Sequence, residues 1–262
     1  MASNDNPPLP DLTGRVALVT GGGRGIGRAT AHDLASSGAA VAVVSRTAEQ
    51  LDEVVATVGE QGGHAVAYVA DLADLDQIPC LVASVHDQLG PVDILINNAA
   101  TVAPLGNSAE LDPAQIDAAF RLNVTSLIAL SGAVLPEMLE HGWGRIVNIS
   151  TGVVSHPALM IGGTTYTATK AAVEAHTINL AAELADTAVR VNAYRPGRVD
   201  TAMQEWIRSQ NPEQVGEQLV ARFTAMHAEG QLISADHSAR RLVTRLAGSE
   251  TGHIWDVDDP LV

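Results

Sequence analysis

Short, almost uninterrupted apolar stretches alternate with helix-like segments along most of the chain. The apolar stretches fall at 16–19, 41–44, 65–69, 93–96, 145–149 and 188–193. Between them, apolar positions with helical spacing fill 25–37, 51–58, 75–89, 114–140 and 165–185, the fourth of these as one or two helices. Continuous apolar strands separated by helices are typical of a buried parallel sheet with helices on both faces. The pattern therefore predicts an α/β fold with a doubly wound parallel sheet.

The C-terminal part of the chain is less regular. Residues 201–236 are polar with scattered apolar anchors, which predicts one or two helices, and 254–257 reads as a final strand. No linker, repeat or low-complexity segment divides the chain. We therefore expect a single Rossmann-type domain over 1–262, with about seven strands and a flexible proline-rich tail at 1–11.

Charge and composition exclude several classes of protein. The formal net charge is -15, from 15 basic and 30 acidic side chains, which disfavours binding to nucleic acid and anionic membranes. One cysteine, Cys80, cannot form an intrachain disulfide, and nine histidines form no tight cluster that predicts a metal site. The N-terminus has no signal-peptide pattern, and no apolar run approaches the roughly 20 residues of a membrane crossing. We expect a cytoplasmic protein.

A glycine-rich loop joins the first predicted strand to the first predicted helix. Glycines allow a tight turn and a close approach to a pyrophosphate, and the free N–H groups of the helix N-terminus favour phosphate oxygens. The spacing, Gly-x3-Gly-x-Gly, differs from the common G-x-G-x-x-G. The loop predicts dinucleotide binding by Gly21, Gly23, Arg24, Gly25, Ile26 and Gly27.

The residues after the second strand indicate which dinucleotide is bound. Folds specific for NAD place an acidic residue there, which holds the ribose hydroxyls. This chain has Ser45 and Arg46 instead, with Arg24 as a second cation in the glycine loop. Two guanidinium groups and a hydroxyl suit a 2′-phosphate, so we expect NADP(H) in preference to NAD(H).

A tyrosine and a lysine stand four residues apart at the start of a predicted helix, which places Tyr166 and Lys170 on one face. The chain has 14 arginines, and Lys170 is its single lysine. A carbonyl reductase needs a proton donor, and a neighbouring ammonium lowers the pKa of a phenol towards the neutral range. The pair predicts acid–base chemistry.

With these motifs in this order, the segment from about 12 to 257 resembles the short-chain dehydrogenase/reductase family. Asn97-Asn98-Ala99-Ala100 is similar to the family's N-N-A-G, with Ala100 in place of the glycine. The resemblance implies further cofactor contacts at Asp71, Leu72, Asn98, Ala99, Ala100, Pro196, Gly197, Val199 and Thr201.

The resemblance also implies catalytic roles. Tyr166 exchanges the substrate proton, Lys170 holds the nicotinamide ribose and lowers the pKa of Tyr166, and Asn123 holds a water that links Lys170 to solvent. The family's serine usually lies 13 positions before the tyrosine, where this chain has Val153. We place that role on Thr151, with Ser150 and Ser155 as alternatives.

Three enzyme and non-enzyme hypotheses follow. The first is an NADP(H)-dependent reductase of ketones or aldehydes that also oxidises secondary alcohols. The second is a 3-oxoacyl thioester reductase. A basic patch at the mouth of the pocket would favour the second over the first. The third is a catalytically silent nucleotide-binding sensor.

Residues 200–236 are the expected substrate lid, and His156, Met203 and Trp206 are candidate substrate contacts. The family resemblance further implies a homo-oligomer, a tetramer or dimer.

Overall fold

Seven parallel strands form the centre of the molecule in a computed structural model that describes residues 7–261. The strands are β1 (Val16–Thr20), β2 (Ala40–Ser45), β3 (His64–Val69), β4 (Ile94–Asn97), β5 (Gly144–Ile149), β6 (Val189–Arg195) and β7 (Ile254–Asp256). Their order in the sheet is β3-β2-β1-β4-β5-β6-β7. Every pair is parallel. The predicted doubly wound sheet is confirmed.

Within residues 7–261, ten α-helices connect and cover the strands. They are α1 (Gly25–Ser36), α2 (Ala48–Glu60), α3 (Gln77–Leu89), α4 (Pro113–Phe120), α5 (Ser126–Glu140), α6 (Thr164–Glu183), α7 (Ala202–Arg208), α8 (Pro212–Val215), α9 (Glu217–Ala228) and α10 (Ala235–Arg245). Two separate apolar cores lie on the two faces of the sheet, because alternate residues of each strand point to opposite sides. Val19 belongs to one core and Leu18 to the other.

The order of the strands reverses at β1, which pairs with β2 on one side and β4 on the other. Helices that follow strands on the two sides of such a point leave in opposite directions, and a crevice opens at the carboxyl ends of the strands. The glycine loop after β1 and the segment after β4 border this crevice. The fold therefore places the predicted cofactor residues together.

The region after β6 differs most from the sequence-based expectation. Residues 201–236 contain three short helices, α7 to α9, rather than one or two. They enclose a third, smaller apolar core that includes Ile207, Phe223 and Met226. Helix α10 was not predicted; its N-terminus is capped by the Ser234 side chain, which accepts a hydrogen bond from the His237 amide.

The central region contains one long helical stretch, formed by α4, the short helical turn at 121–125 and α5. Pro113–Glu140 is 28 residues long and apolar enough to cross a membrane by length and composition. No continuous apolar run reveals this in the sequence, because serine and other polar residues interrupt it. Leu130 and Val134 of this stretch are buried against the sheet.

The tail predicted at 1–11 is described only in part. Residues 1–6 lie outside the described part of the chain. Residues 7–11 have no regular secondary structure, and the half-buried Leu9 packs against one of the two sheet cores.

Candidate active site

A cleft of about 730 Å³ runs across the carboxyl ends of the strands. Almost every predicted site residue borders it, although they are distant from one another in the sequence. The predicted residues that line the cleft are Gly21, Gly23, Arg24, Gly25, Ile26, Ser45, Arg46, Asp71, Leu72, Asn98, Ala99, Ala100, Thr151, His156, Tyr166, Lys170, Pro196, Gly197, Val199, Thr201 and Met203. Gly27, Asn123 and Trp206 are not among the lining residues.

The glycine loop is shaped by two close approaches of the backbone. Gly21 has a φ of +62°, which favours glycine. A Cβ atom at Gly27 would lie 2.2 Å from the Gly21 carbonyl oxygen, closer than any real contact. Gly27 thus lies beneath the cleft and allows the first turn of α1 to pack directly on the loop.

Thr20 and Asn98 fix the glycine loop to the segment after β4. The Thr20 hydroxyl oxygen accepts hydrogen bonds from the Asn98 and Ala99 amides at 2.9 and 3.0 Å. The Asn98 side-chain amide donates to the carbonyl oxygens of Thr20 and Gly21 at 2.9 and 3.2 Å. Sequence reasoning missed Thr20, whose role follows only from the pairing of β1 with β4.

Two arginines border the end of the cleft nearest β2. Arg24 precedes α1 and Arg46 follows β2, and both are exposed. Within residues 7–261, neither guanidinium forms an ion pair with a carboxylate. Ser45 also lines the cleft, and its hydroxyl donates to the Thr47 carbonyl oxygen at 3.3 Å. Both arginine side chains therefore remain available to an anion.

Tyr166 lies in the first turn of α6, and its phenol faces the cleft beside Thr151. Burial raises the pKa of Tyr166 to about 12, and the nearby Thr151 side chain acts in the opposite direction. The phenol is therefore protonated at neutral pH. Thr151 directly follows β5, so the strand end brings its hydroxyl to the tyrosine.

Lys170 lies one helical turn after Tyr166 and is almost fully buried. Its ammonium donates to the Ile149 carbonyl oxygen at 2.6 Å and lies 6.0 Å from the centre of the Tyr166 ring. Burial lowers the pKa of Lys170 to about 8. The expected lowering of the Tyr166 pKa by Lys170 is not found; burial of the phenol dominates, and the hydroxyl of Thr151 opposes it.

Comparison with known proteins agrees with this geometry. Residues 15–212 match the family described as short chain dehydrogenase. The chain belongs to the short-chain dehydrogenase/reductase family. It is 35% identical to the 3-oxoacyl-[acyl-carrier-protein] reductase of Synechocystis, over 96% of this chain and 98% of that protein. It is also 35% identical to nodulation protein G of Azospirillum brasilense, over 95% and 99%.

Solved structures of the family have the same fold and, in two cases, a bound cofactor. A variant of actinorhodin polyketide ketoreductase with NADPH has a TM-score of 0.83 and 33% identity, covering 93% of this chain and 95% of that chain. A short chain dehydrogenase from Burkholderia cenocepacia in complex with NADP has a TM-score of 0.80 and 31% identity, covering 95% and 98%. The relatives are oxidoreductases, and the neighbours bind a nicotinamide cofactor.

Neither of the two serines near the family's serine position bonds to Tyr166, although Ser150 borders the cleft. The Ser150 hydroxyl donates to Glu174 at 2.6 Å, and Glu174 forms a buried two-point ion pair with Arg195 at 2.8 Å. Ser155 is exposed and does not line the cleft. Of the three hydroxyl residues considered, Thr151 is the one that reaches Tyr166.

Asn123 is buried and does not line the cleft, and its role in holding a water stays a prediction. Its side-chain amide donates to Thr101 O at 2.8 Å and to the Thr169 hydroxyl at 3.0 Å, and its oxygen accepts from the Thr101 amide at 2.8 Å. The buried side chain therefore joins the segment after β4 to α6. It lies in a π-helical turn, Arg121–Thr125, where the Ser126 amide donates to the Arg121 carbonyl oxygen.

The predicted substrate contacts are only partly brought together. His156 and Met203 border the cleft, whereas Trp206 does not and is 39% exposed. The helical turn of α7 directs the neighbouring Ile207 inward instead, which leaves it 2% exposed. Sequence reasoning also missed lining residues from the loop before Tyr166 and from α9, namely Val153, Leu159, Met160, Arg222 and Phe223.

Proposed function

We propose that the chain reduces ketones or aldehydes with NADPH and oxidises the corresponding secondary alcohols in the reverse direction. The observation that carries this proposal is the meeting of Tyr166, Thr151 and Lys170 at one cleft. A protonated phenol and a second hydroxyl beside it can both donate hydrogen bonds to a carbonyl oxygen as it gains negative charge, and the phenol can then protonate it.

The cleft fits a nicotinamide dinucleotide. The close packing at Gly21 and Gly27 leaves room for a pyrophosphate against the N-terminus of α1. Arg24 and Arg46 suit a 2′-phosphate, and no acidic residue follows β2 to hold a free 2′-hydroxyl. When bound, the reduced cofactor supplies a hydride to the carbonyl carbon.

The protein's own groups complete the reduction. Thr151 and Tyr166 donate hydrogen bonds to the carbonyl oxygen and hold the carbonyl in one orientation. As the C=O π bond breaks and a C–H bond forms at carbon, the Tyr166 proton moves to the oxygen, which leaves an alcohol. A solvent proton then replaces the one that the phenol has transferred.

Reduction of a 3-oxoacyl thioester is the second candidate. It is supported by the similarity to the Synechocystis reductase and to the polyketide ketoreductase. The silent-sensor hypothesis rested on the displaced serine. We place it below the two reductase hypotheses, because the Thr151 side chain lies close enough to Tyr166 to affect the pKa of its phenol.

Two further properties belong to the proposal. We place the enzyme in the cytoplasm, and we propose a homo-oligomer, because Ile128, Leu139 and Ile178 of α5 and α6 are exposed apolar side chains. Residues 200–236, which contain α7 to α9, act as the lid of the substrate part of the cleft.

The test is cofactor consumption by the purified protein with a panel of ketones, aldehydes and 3-oxoacyl thioesters. The expected result is turnover with NADPH, much weaker turnover with NADH, and none in Tyr166→Phe, which lacks the proton donor. Binding of NADPH without reduction of any carbonyl would contradict the proposal. Better turnover with NADH would contradict the roles of Arg24 and Arg46.

A further inference from the structure

The substrate end of the cleft is the part bordered by the loop before Tyr166 and by helices α7 and α9. Its lining is mainly apolar, with Val153, Met160, Met203, Ile207, Phe223 and Met226. Pockets of this kind hold the body of a ligand by burial, while a few polar groups fix its orientation. The polar groups at this end, other than the catalytic ones, therefore indicate the chemistry of the substrate.

Two arginines supply positive charge at this end. Arg222 of α9 is half-buried, and its guanidinium donates to the Leu159 carbonyl oxygen. Arg198 follows the turn at Gly197, and its guanidinium donates to the Gln231 side-chain oxygen at 2.7 Å. Each guanidinium has five N–H donors, so these contacts leave most of them free.

Neither arginine has a carboxylate partner in the part of the chain that the structure describes. Elsewhere Arg15, Arg195 and Arg240 pair with carboxylates at 3.0, 2.8 and 2.7 Å. Arg198 is linked to the Glu229 carboxylate only indirectly. The Gln231 side-chain amide accepts from Arg198 through its oxygen and donates to Glu229 through its nitrogen. Eleven of the fourteen arginines have no carboxylate partner within residues 7–261, so Arg198 and Arg222 are distinguished by being neighbours at the substrate end of the cleft.

The two guanidinium groups also repel each other. Burial lowers the pKa of Arg222, and the charge of Arg198 lowers it further. An anion between them would relieve this repulsion and would match the planar fork of each guanidinium, which binds carboxylate and phosphate oxygens in pairs.

We propose that the substrate carries an anionic group, a carboxylate or a phosphate, which Arg222 and Arg198 bind while its apolar body fills the substrate end and its carbonyl reaches Tyr166. This inference rests on the proposed reductase function and names its substrate class. An oxo acid has such a carboxylate, and an acyl thioester of coenzyme A or of a carrier has such a phosphate.

The experiment compares charged and neutral forms of the same substrate. Oxo acids of increasing chain length are compared with their methyl esters, and 3-oxoacyl coenzyme A with the neutral N-acetylcysteamine thioester. The kcat/KM ratio of charged to neutral form is measured with NADPH for the unaltered protein, Arg222→Gln, Arg198→Gln and the control Arg28→Gln. Arg28 is an exposed arginine of α1 that does not line the cleft.

We expect the charged form to be preferred by the unaltered protein. Arg222→Gln should lower the ratio of charged to neutral kcat/KM about tenfold to a hundredfold, the usual worth of a hydrogen bond to a charged group. Arg28→Gln should leave the ratio unchanged. A preference confined to the oxo acids identifies a carboxylate, and one confined to the coenzyme A thioester identifies a phosphate. An equal loss for both forms, or no loss in either arginine variant, overturns the inference.

A binding measurement keeps this inference separate from the reductase function. The protein is loaded with NADPH and titrated with decanoate and, in parallel, with decanol. Tighter binding of decanoate that is lost in Arg222→Gln supports the carboxylate site even if no carbonyl is reduced, in which case the reductase proposal alone fails. This inference alone is overturned if three results occur together. Decanoate and decanol bind equally, neutral ketones are reduced, and the arginine variants leave the charged-to-neutral kcat/KM ratio unchanged for the oxo acids and the coenzyme A thioesters.

Discussion

The Ser150 hydroxyl donates to a carboxylate oxygen of Glu174 over 2.6 Å, and this bond turns the first of two neighbouring hydroxyls away from Tyr166. Glu174 is itself held by Arg195 through two hydrogen bonds, so its position is fixed by the end of β6. The alternation of side chains along an extended segment then points Thr151 to the opposite side, into the cleft. The Glu174–Arg195 ion pair thus binds the Ser150 hydroxyl and leaves the Thr151 hydroxyl at the active site.

Substitution of the two hydroxyl residues should have very different effects on turnover. Thr151→Ala removes a donor to the developing oxyanion and should lower kcat by about a hundredfold to a thousandfold. Thr151→Ser keeps the hydroxyl and should retain most of the activity. Ser150→Ala is the matched control and should change kcat far less. If Ser150→Ala were the more damaging change at unaltered stability, the assignment to Thr151 would be wrong.

Removal of one member of the Glu174–Arg195 ion pair should lower the free energy of unfolding more than removal of both. Glu174→Leu leaves the half-buried Arg195 guanidinium without its partner and should lower the free energy of unfolding by up to about 3 kcal/mol. The double variant Glu174→Leu, Arg195→Met removes both charges and should recover a large part of that loss. Urea denaturation monitored by circular dichroism measures both. Additive losses in the double variant would show that the two side chains do not act as a pair.

The pattern of the sequence was sufficient to predict the sheet, because β1 to β4 are nearly continuous apolar runs, which are typical of a buried parallel sheet. Polar residues interrupt β5 and β6, but enough apolar positions remain to identify them. The glycine loop and the Tyr166–Lys170 spacing likewise identified most of the cleft, since the ends of parallel strands meet at one edge. Helix α10 was missed although Ser234 begins it with an N-cap. Its polar residues obscured the buried positions Leu242 and Val243.

The remaining errors concern features that depend on contacts between distant segments. The π-helical turn at Asn123 has no pattern in the sequence, and the amide of Asn123 is taken up by Thr101 and Thr169, which only the fold brings near. Trp206 and Ile207 are adjacent, and the sequence could not decide which faces inward, because α7 is too short to establish a periodicity. Charges without partners at Arg198 and Arg222 are also invisible until the fold is known.

Replacement of Gly27 should test how tightly α1 packs on the glycine loop. In Gly27→Ala the new Cβ would lie 2.2 Å from the Gly21 carbonyl oxygen and 2.6 Å from the Asn98 side chain. We expect lower stability and weaker NADPH binding. Gly59→Ala in α2 is the matched control, because no atom lies within 4 Å of the new Cβ. It should be neutral or stabilise by up to about 1 kcal/mol. Equal effects at the two positions would contradict the close packing.

Lys170 should make the stability of the cofactor-free protein depend on pH. Burial lowers the pKa of Lys170 to about 8 in the folded protein, from an ordinary value of 10.5. Between these values the unfolded chain binds more protons than the folded one, so the free energy of unfolding rises with pH. The stabilisation is complete above the unfolded pKa and is lost as the pH falls through the folded pKa, because the buried amine then becomes charged.

The measurement is urea denaturation at about pH 7.5 and 9.5 for the unaltered protein and Lys170→Met, which cannot titrate there. The difference in unfolding free energy between the two proteins should shift in favour of the unaltered one by about 2 kcal/mol on going to the higher pH. Tyr166 does not interfere, since its raised pKa lowers stability only as the pH passes from about 10 towards 12. A difference that stays constant would mean that the amine of Lys170 is already solvated in the folded protein. The ammonium of Lys170 would then not remain at its buried hydrogen bond to the Ile149 carbonyl oxygen.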